Sequence, residues 1–345
     1  MFSFGPNRRG WTPVLSITVD GAEVAGLFYS RLIRASFHDE AGQSADSCTF
    51  TLDDRGGMLQ EPRDKATIVA RGGFKETGTA ILGRYELQNI AYEFGDQDGE
   101  TMVIQAKAAD LRRKLKGTGR KAYKDQTFGD IARDIAQRDG LALRMDSSLE
   151  AIKLPDQLWL GQSGIDLLTR LGDEFGAIVK PAGQQLVITR RGGAASFDGN
   201  ALSTITIRKR DCSSWSVSPN GRPEYGTVKV PYIDQKTGRQ RTKSFETGLE
   251  GPELVLAEMA QDEDRAERRA KSEGQRLSRE TGQGHFECYG RIDAQAEATV
   301  IPVGFKPSIS RPWRAGSVEH SFDEKGFITR INIKAMEDGS SRAKE

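Results

Sequence analysis

The sequence predicts a β-rich α+β chain in which two antiparallel β regions flank a central α+β module. Three observations carry that expectation. Apolar side chains alternate every second residue through the first hundred positions, a helix–strand unit repeats at an offset of 36 residues in the middle, and alternation returns near residue 193. The implied boundaries are 1–105, 106–192 and 193–345.

In the first region VLSITV (14–19) alternates, as do Ile33, Ala35 and Phe37, then Cys48, Phe50 and Leu52. Ile90, Tyr92 and Phe94 repeat the pattern, followed by Met102, Ile104 and Ala106. Such alternation buries one face of a sheet and leaves the other wet. Gly72-Gly73, Gly78 and the GDQDG stretch (95–99) read as turns between the runs, and many short strands with regular turns suggest a barrel or sandwich.

The central region opens with a basic stretch, 107–124, in which Lys107, Arg112, Arg113, Lys114, Lys116, Arg120, Lys121 and Lys124 are opposed by Asp110. The repeat follows. Gln126-Thr127-Phe128-Gly129-Asp130-Ile131 leads through Ile135 to Gly140-Leu141-Ala142-Leu143, and Gln162-Ser163-Gly164-Ile165-Asp166-Leu167 leads through Leu171 to Gly176-Ala177-Ile178-Val179. Thr127 and Ser163 suit N-caps, with Asp130 and Asp166 as capping-box partners. Gly140 and Gly176 sit where a helix stops in the left-handed region. Two copies are too few for a solenoid, so the spacing predicts one module that packs helix on helix and ends in a strand at 185–188.

In the last region Ile205 and Ile207 alternate, then Val228, Val230 and Tyr232, with 234–240 as a hairpin turn. A long helix is expected from about 253 to 279, rich in Ala and in opposed charges. The closing hairpin runs from Val318 to Ile333 around Asp323-Glu324-Lys325-Gly326. Thr329, Ile331 and Ile333 share one face, and Arg330, Asn332 and Lys334 share the other. The polar tail from Asp338 is expected to fray.

Composition excludes several functions. Fifty basic and 49 acidic residues leave a formal net charge of +1, so no global field holds the chain on nucleic acid or an anionic membrane. Hydrophobic residues at 37% and charged residues at 29% describe an ordinary folded protein. Cys48, Cys212 and Cys288 lie far apart with no CxxC, which offers neither a zinc knuckle nor a redox pair and reads as buried free thiols. No signal peptide is expected at the N-terminus, and no apolar run approaches the ~18–20 residues of a membrane span.

The search for chemistry assigns no catalytic, cofactor-binding or metal-binding residue. Three histidines (His38, His285, His320) without HExxH, and no GxxxxGK[ST], leave no metal or phosphate motif. GQSG (161–164) lacks the spacing of a nucleophile elbow, and Ser163 is better explained as a cap. Asp53-Asp54 reads as a loop pair, Asp262-Glu263-Asp264 as a solvated helix face, and His320 as a hydrogen-bonded sheet histidine. The basic stretch contains one aromatic residue, Tyr123, so no base-stacking platform is indicated and a linker or protein-facing rim is favoured. The RGG triplets at Arg71 and Arg191 read as isolated turn glycines.

In order along the chain, AKAADLRRKLK (106–116), QTFGDIARDIAQRDGL (126–141), DLLTRLGDEFGAIVKPAGQQLVI (166–188) and VEHSFDEKGFITRINI (318–333) resemble the late control protein D family, the tail hub proteins of contractile-tailed phages. The family's second repeat commonly reads Gln-x-x-Glu-Ser-Asp where this chain has LGQSGID (160–166). The resemblance implies two tail-tube-like antiparallel β-barrels with an α+β insertion, the first barrel completed by a strand near 203–209. It also implies a homotrimer whose six barrels form a pseudo-sixfold ring between a sixfold tail tube and a threefold spike.

On that reading the chain is a structural, non-enzymatic part of a virion baseplate, assembled in the host cytoplasm. It needs no cofactor, no membrane and no specific nucleic acid. Its partners would be the spike trimer, the tail tube or tube-initiator protein, baseplate wedge proteins and, in the lumen, a tape-measure protein. Three alternatives remain open at this point: a tail-associated peptidoglycan hydrolase, a nucleic-acid-binding module using the stretch from Lys107 to Lys124, and the hub of a headless contractile bacteriocin or injection system.

Overall fold

The computed structural model describes residues 2–3, 10–41, 46–95, 99–108, 117–182, 185–190, 204–219, 225–279 and 282–336. Residues 96–98 of the GDQDG turn, 109–116 of the basic stretch, the second RGG triplet and the polar tail fall outside the described residues.

The first region forms β1 (Phe2–Ser3), β2 (Pro13–Val19), β3 (Ala22–Glu23), a short α1 (Gly26–Ser30), β4 (Leu32–Glu40), β5 (Ser47–Asp53), β6 (Thr67–Phe74), β7 (Gly78–Gly95) and β8 (Gly99–Ala108). Its six main strands lie in the order β2-β6-β7-β8-β5-β4, all neighbours antiparallel. Alternate side chains, among them Leu15, Ile17, Phe37, Phe50, Leu52, Ile68, Tyr85 and Ile104, fill one core. Three local expectations need correction. Ile33 sits at a bulge between Leu32 and Arg34 and is exposed, because the extra residue shifts the phase. Gly72 and Gly73 lie inside β6 rather than in a turn. A Cβ on Gly72 would fall 2.5 Å from the Phe322 ring, and one on Gly73 would fall 2.3 Å from the Gly78 carbonyl oxygen. Ile90 is half-buried, and Tyr92 and Phe94 are exposed, although their alternation predicts a covered face.

The last region supplies β14 (Ile205–Arg208), β15 (Cys212–Ser218), β19 (Gln283–Tyr289), β20 (Thr299–Val303), β21 (Trp313–Asp323) and β22 (Gly326–Lys334). Their order is β14-β20-β21-β22-β19-β15, which is the order of the first six strands taken in sequence. The registers coincide as well. Residues 32–38 match 212–218, 47–53 match 283–289, 67–68 match 299–300, 85–94 match 313–322, and 101–107 match 328–334. Two of the first unit's three bulges repeat, at Leu32/Arg34 with Cys212/Ser214 and at Leu87/Asn89 with Ala315/Ser317. One pair differs in direction: β2 runs antiparallel to β6, whereas β14 runs parallel to β20. The strand expected to complete the first barrel is this β14. It belongs to the second unit, because Ile205 and Ile207 pack with Val300, Phe286 and Trp313 in a separate core.

Two insertions interrupt the strands. The central one holds β9 (Thr118–Tyr123), α2 (Phe128–Arg138), β10 (Ala142–Met145), α3 (Ser147–Glu150), β11 (Gln157–Ser163), α4 (Gly164–Glu174), β12 (Ala177–Ala182) and β13 (Gln185–Arg190). Thr127 accepts from the Asp130 amide at 3.1 Å, and Asp130 returns the bond to the Thr127 amide at 3.0 Å. Ser163 caps the second helix by accepting from the Asp166 amide at 3.2 Å, but here the reciprocal half of the expected capping box is not formed. Gly140 and Gly176 take φ of 66° and 64°, which lets each helix turn into its strand. Ile131, Ile135, Leu167, Leu168 and Leu171 then share one core above the sheet β10-β13-β12.

The other insertion follows β15 with β16 (Thr227–Ile233), β17 (Gln240–Glu246), β18 (Glu253–Val255) and α5 (Glu263–Arg279). The helix is ten residues shorter than expected at its start. Residues 253–255 pair in parallel with 227–229, Ala260 donates to the Pro231 carbonyl, and Asp262 caps the helix by accepting from the Arg265 amide at 2.7 Å. Backbone already committed to a sheet edge cannot also wind into a helix.

Candidate assembly interface

The two six-strand units meet edge to edge inside the chain. Ser317 to Phe322 of β21 pair antiparallel with Glu40 back to Ala35 of β4, so a single sheet runs through both units. Up to Arg314, β21 pairs with β20 of its own unit. Past the bulge at Gly316 that edge is free and takes β4 instead.

Chemistry at this seam is mostly apolar on the inner side. Phe322 leaves its own unit to enter the first core, stacked on Phe327 with centroids 4.3 Å apart and edge-on to Phe37 at 6.1 Å. Gly72 makes room for the ring. His320 lies one register step away from Phe322 on the same face, with Nδ1 3.0 Å from Thr329 Oγ1. Burial pushes its pKa down to about 4, so the imidazole is neutral. On the outer side Glu319 pairs with Arg34 at 3.4 Å and with His38 at 3.6 Å.

A buried charged cluster ties the central insertion to the same seam. Lys180 from β12 reaches Asp46 at 2.7 Å and the Glu40 carbonyl at 3.4 Å, while Asp39 accepts from the Ala296 amide at 2.8 Å. Burial raises the Asp39 pKa, the neighbouring Asp46 adds to that, and Lys180 opposes it. A second tie joins the insertions to each other through Arg265 of α5 and Glu174 of α4, with Arg265 Nη2 2.9 Å from Glu174 Oε2. The cleft beside it, about 460 Å³, is walled by paired charges such as Arg269 and Glu258.

The carboxylates and the serine singled out in the sequence have structural partners. Asp53 is held at about 2 by the Arg55 guanidinium, and Asp54 accepts from the Leu59 amide. Asp262 is a cap and Ser163 another. Among the described residues no group of His, Cys, Asp and Glu could hold a metal ion, and no helix is long and apolar enough to cross a membrane. The cysteines depart from expectation. Cys212 and Cys288 face each other across β15 and β19 as free thiols that share a hydrogen bond, their sulfurs 3.6 Å apart, and Cys212 is only half-buried. Cross-strand register, invisible in their spacing, brings them together. Of the basic stretch, Lys121 pairs with Asp134 at 2.7 Å. Arg330, Asn332 and Lys334 line one polar face of β22, with Asn332 donating to Ser317 at 2.8 Å.

Sequence reasoning missed the seam itself. Its one local signal was the glycine pair inside an otherwise good strand, which marks the close approach of another group.

No family model matches the chain. Two curated relatives do: the probable baseplate hub protein of Escherichia phage 186, 23% identical over 93% of this chain and 92% of the relative, and that of Escherichia phage P2, 23% identical over 94% and 93%. Among solved structures, the 43 kDa tail protein of prophage MuSo2 from Shewanella oneidensis aligns with a TM-score of 0.70 at 12% identity, covering 95% of this chain and 99% of the other. The E. coli c3393 protein, described as a component of the type VI secretion system with structural similarity to T4 tail proteins gp27 and gp5, aligns at 0.55 and 10% identity over 92% and 76%. Sequence likeness along 93% of its length, with a fold shared by phage tail proteins, makes this chain a homologue of the phage baseplate hub proteins.

Proposed function

We propose that three copies of this chain close into a ring of six similar β units, adapting a sixfold tail tube above to a threefold spike below. The supporting observation is the internal duplication: six strands occur twice in one polypeptide in the same order, with matching registers in four of the five neighbouring pairs and two shared bulges. A threefold assembly of such a chain presents six near-equivalent modules, so it meets either symmetry without distortion. The role is mechanical and non-enzymatic. Partners on this reading are the spike trimer, the tube or its initiator, wedge proteins at the insertions and a tape-measure protein in the lumen.

A headless contractile particle is the second reading, supported by the likeness to a type VI secretion component. The hub role is the same in both.

Electron microscopy of the purified protein is expected to give rings of threefold symmetry with a six-lobed outline, and light scattering the mass of three chains. A stable monomer or an even-numbered ring would overturn the adaptor role. Clearing of peptidoglycan by the purified protein would replace it with a hydrolase.

A further inference from the structure

Resting on the trimeric reading above, we infer that the seam between the two units is repeated between chains: the free edge of β15 pairs antiparallel with the free edge of β7 in the next copy, in the register that β4 and β21 use within the chain.

Each strand of the inner seam has a counterpart elsewhere in the duplicated fold. β4 corresponds to β15, which pairs with β19 on one side and with no described strand on the other. The part of β21 that receives β4 corresponds to residues 89–94 of β7. Those residues pair with β8, and their other edge takes no described backbone partner once Leu87 has donated to Ala66. The chain therefore shows one half of a junction at each end and the completed junction in its middle. Transferring the observed pairs sets Ala91 opposite Ser218, Tyr92 opposite Val217, Glu93 opposite Ser216 and Phe94 opposite Trp215.

The side chains match the transfer. Val318, His320 and Phe322, covered at the inner seam, correspond to Ile90, Tyr92 and Phe94, of which Tyr92 is 56% and Phe94 75% exposed. Trp215 on the opposing edge is 41% exposed. Ile90 packs against the first core, but Tyr92 and Phe94, which continue its alternation, keep their rings exposed in the single chain, the Tyr92 hydroxyl alone donating to Glu61. Counting on from the matched pairs brings Gly304, the residue after β20, to the position of Gly72, and a Cβ there would meet nothing nearer than Lys209 Cβ at 3.8 Å, so the single chain leaves space beside it for Phe94 of the next copy. An edge strand this exposed invites pairing, and a second copy offers the complementary edge. Because each chain carries one edge of each kind, the contacts are head-to-tail and close when the rotation per chain is one-third of a turn.

Glu93→Cys with Ser216→Cys, in a Cys212→Ser background, tests the register. Both sites are exposed, so folding should survive. Oxidation is expected to give a ladder ending at covalent trimer on a non-reducing gel. A slipped pair, Glu93→Cys with Ser214→Cys, should cross-link roughly fivefold or more slowly, because Cα atoms beyond ~7 Å cannot be bridged. Phe94→Lys should raise the concentration needed for trimer by roughly tenfold to a hundredfold in light scattering. Trimers that form without the in-register cross-link, or that cross-link equally through the slipped pair, would overturn the edge pairing and leave the trimeric reading intact. Monomers throughout, with no cross-link, would sink both.

Discussion

His320 concentrates the physics of the seam in one side chain. It is buried against Phe327, bonded to Thr329, and neutral because burial lowers its pKa to about 4. The unfolded chain holds that proton near 6.5, so below that pH the unfolded state binds a proton that the folded state refuses. Stability is therefore whole above about 6.5 and falls as pH drops towards 4, by up to about 3 kcal/mol from this residue. His320→Gln, which can still donate to Thr329, should flatten this part of the profile. Urea midpoints at pH 7 and pH 4.5 should lie closer together in the variant, and an unchanged gap would refute the assignment. The alternation at 318–322 made this a sheet histidine in sequence; the missing information was that a second strand, β4, covers it.

At the scale of elements, local chemistry was well written. The Thr127 and Asp130 capping box, the glycines at 140 and 176, and the 36-residue repeat specify two helix–strand units without reference to the rest of the chain. Thr127→Ala should cost about 1 kcal/mol, read as a lower thermal midpoint with unchanged helix content at 20 °C; no measurable shift would mean that the box contributes nothing. The start of α5 was misjudged for the opposite reason. Glu253 to Ala260 has acceptable helix propensity, but β16 offers these residues a strand partner, and tertiary pairing overrides a propensity worth tenths of a kcal/mol per residue.

Across the whole molecule, the β21–β22 hairpin is the joint. It belongs to the second unit by strand order and to the first by the side chains of Phe322 and Phe327. Phe322→Ala should destabilise by about 3–5 kcal/mol, since it empties a core that no neighbour can easily refill. Trp11, beside the first core, and Trp313, in the second, should report the same shifted transition when each is kept as the sole tryptophan. Separate transitions would show that the units fold independently and that the shared sheet couples little. The sequence by itself determined the alternating strands, the caps, the closing hairpin and the order β, α+β, β, because these depend on neighbours within a few residues. Tertiary structure alone decided that β14 serves the second unit, that Cys212 meets Cys288, that β4 docks on β21, and that Tyr92 and Phe94 are left uncovered. Those outcomes depend on which edges find each other across tens to hundreds of residues, and a period of two says which face a side chain takes but not which strand lies beside it.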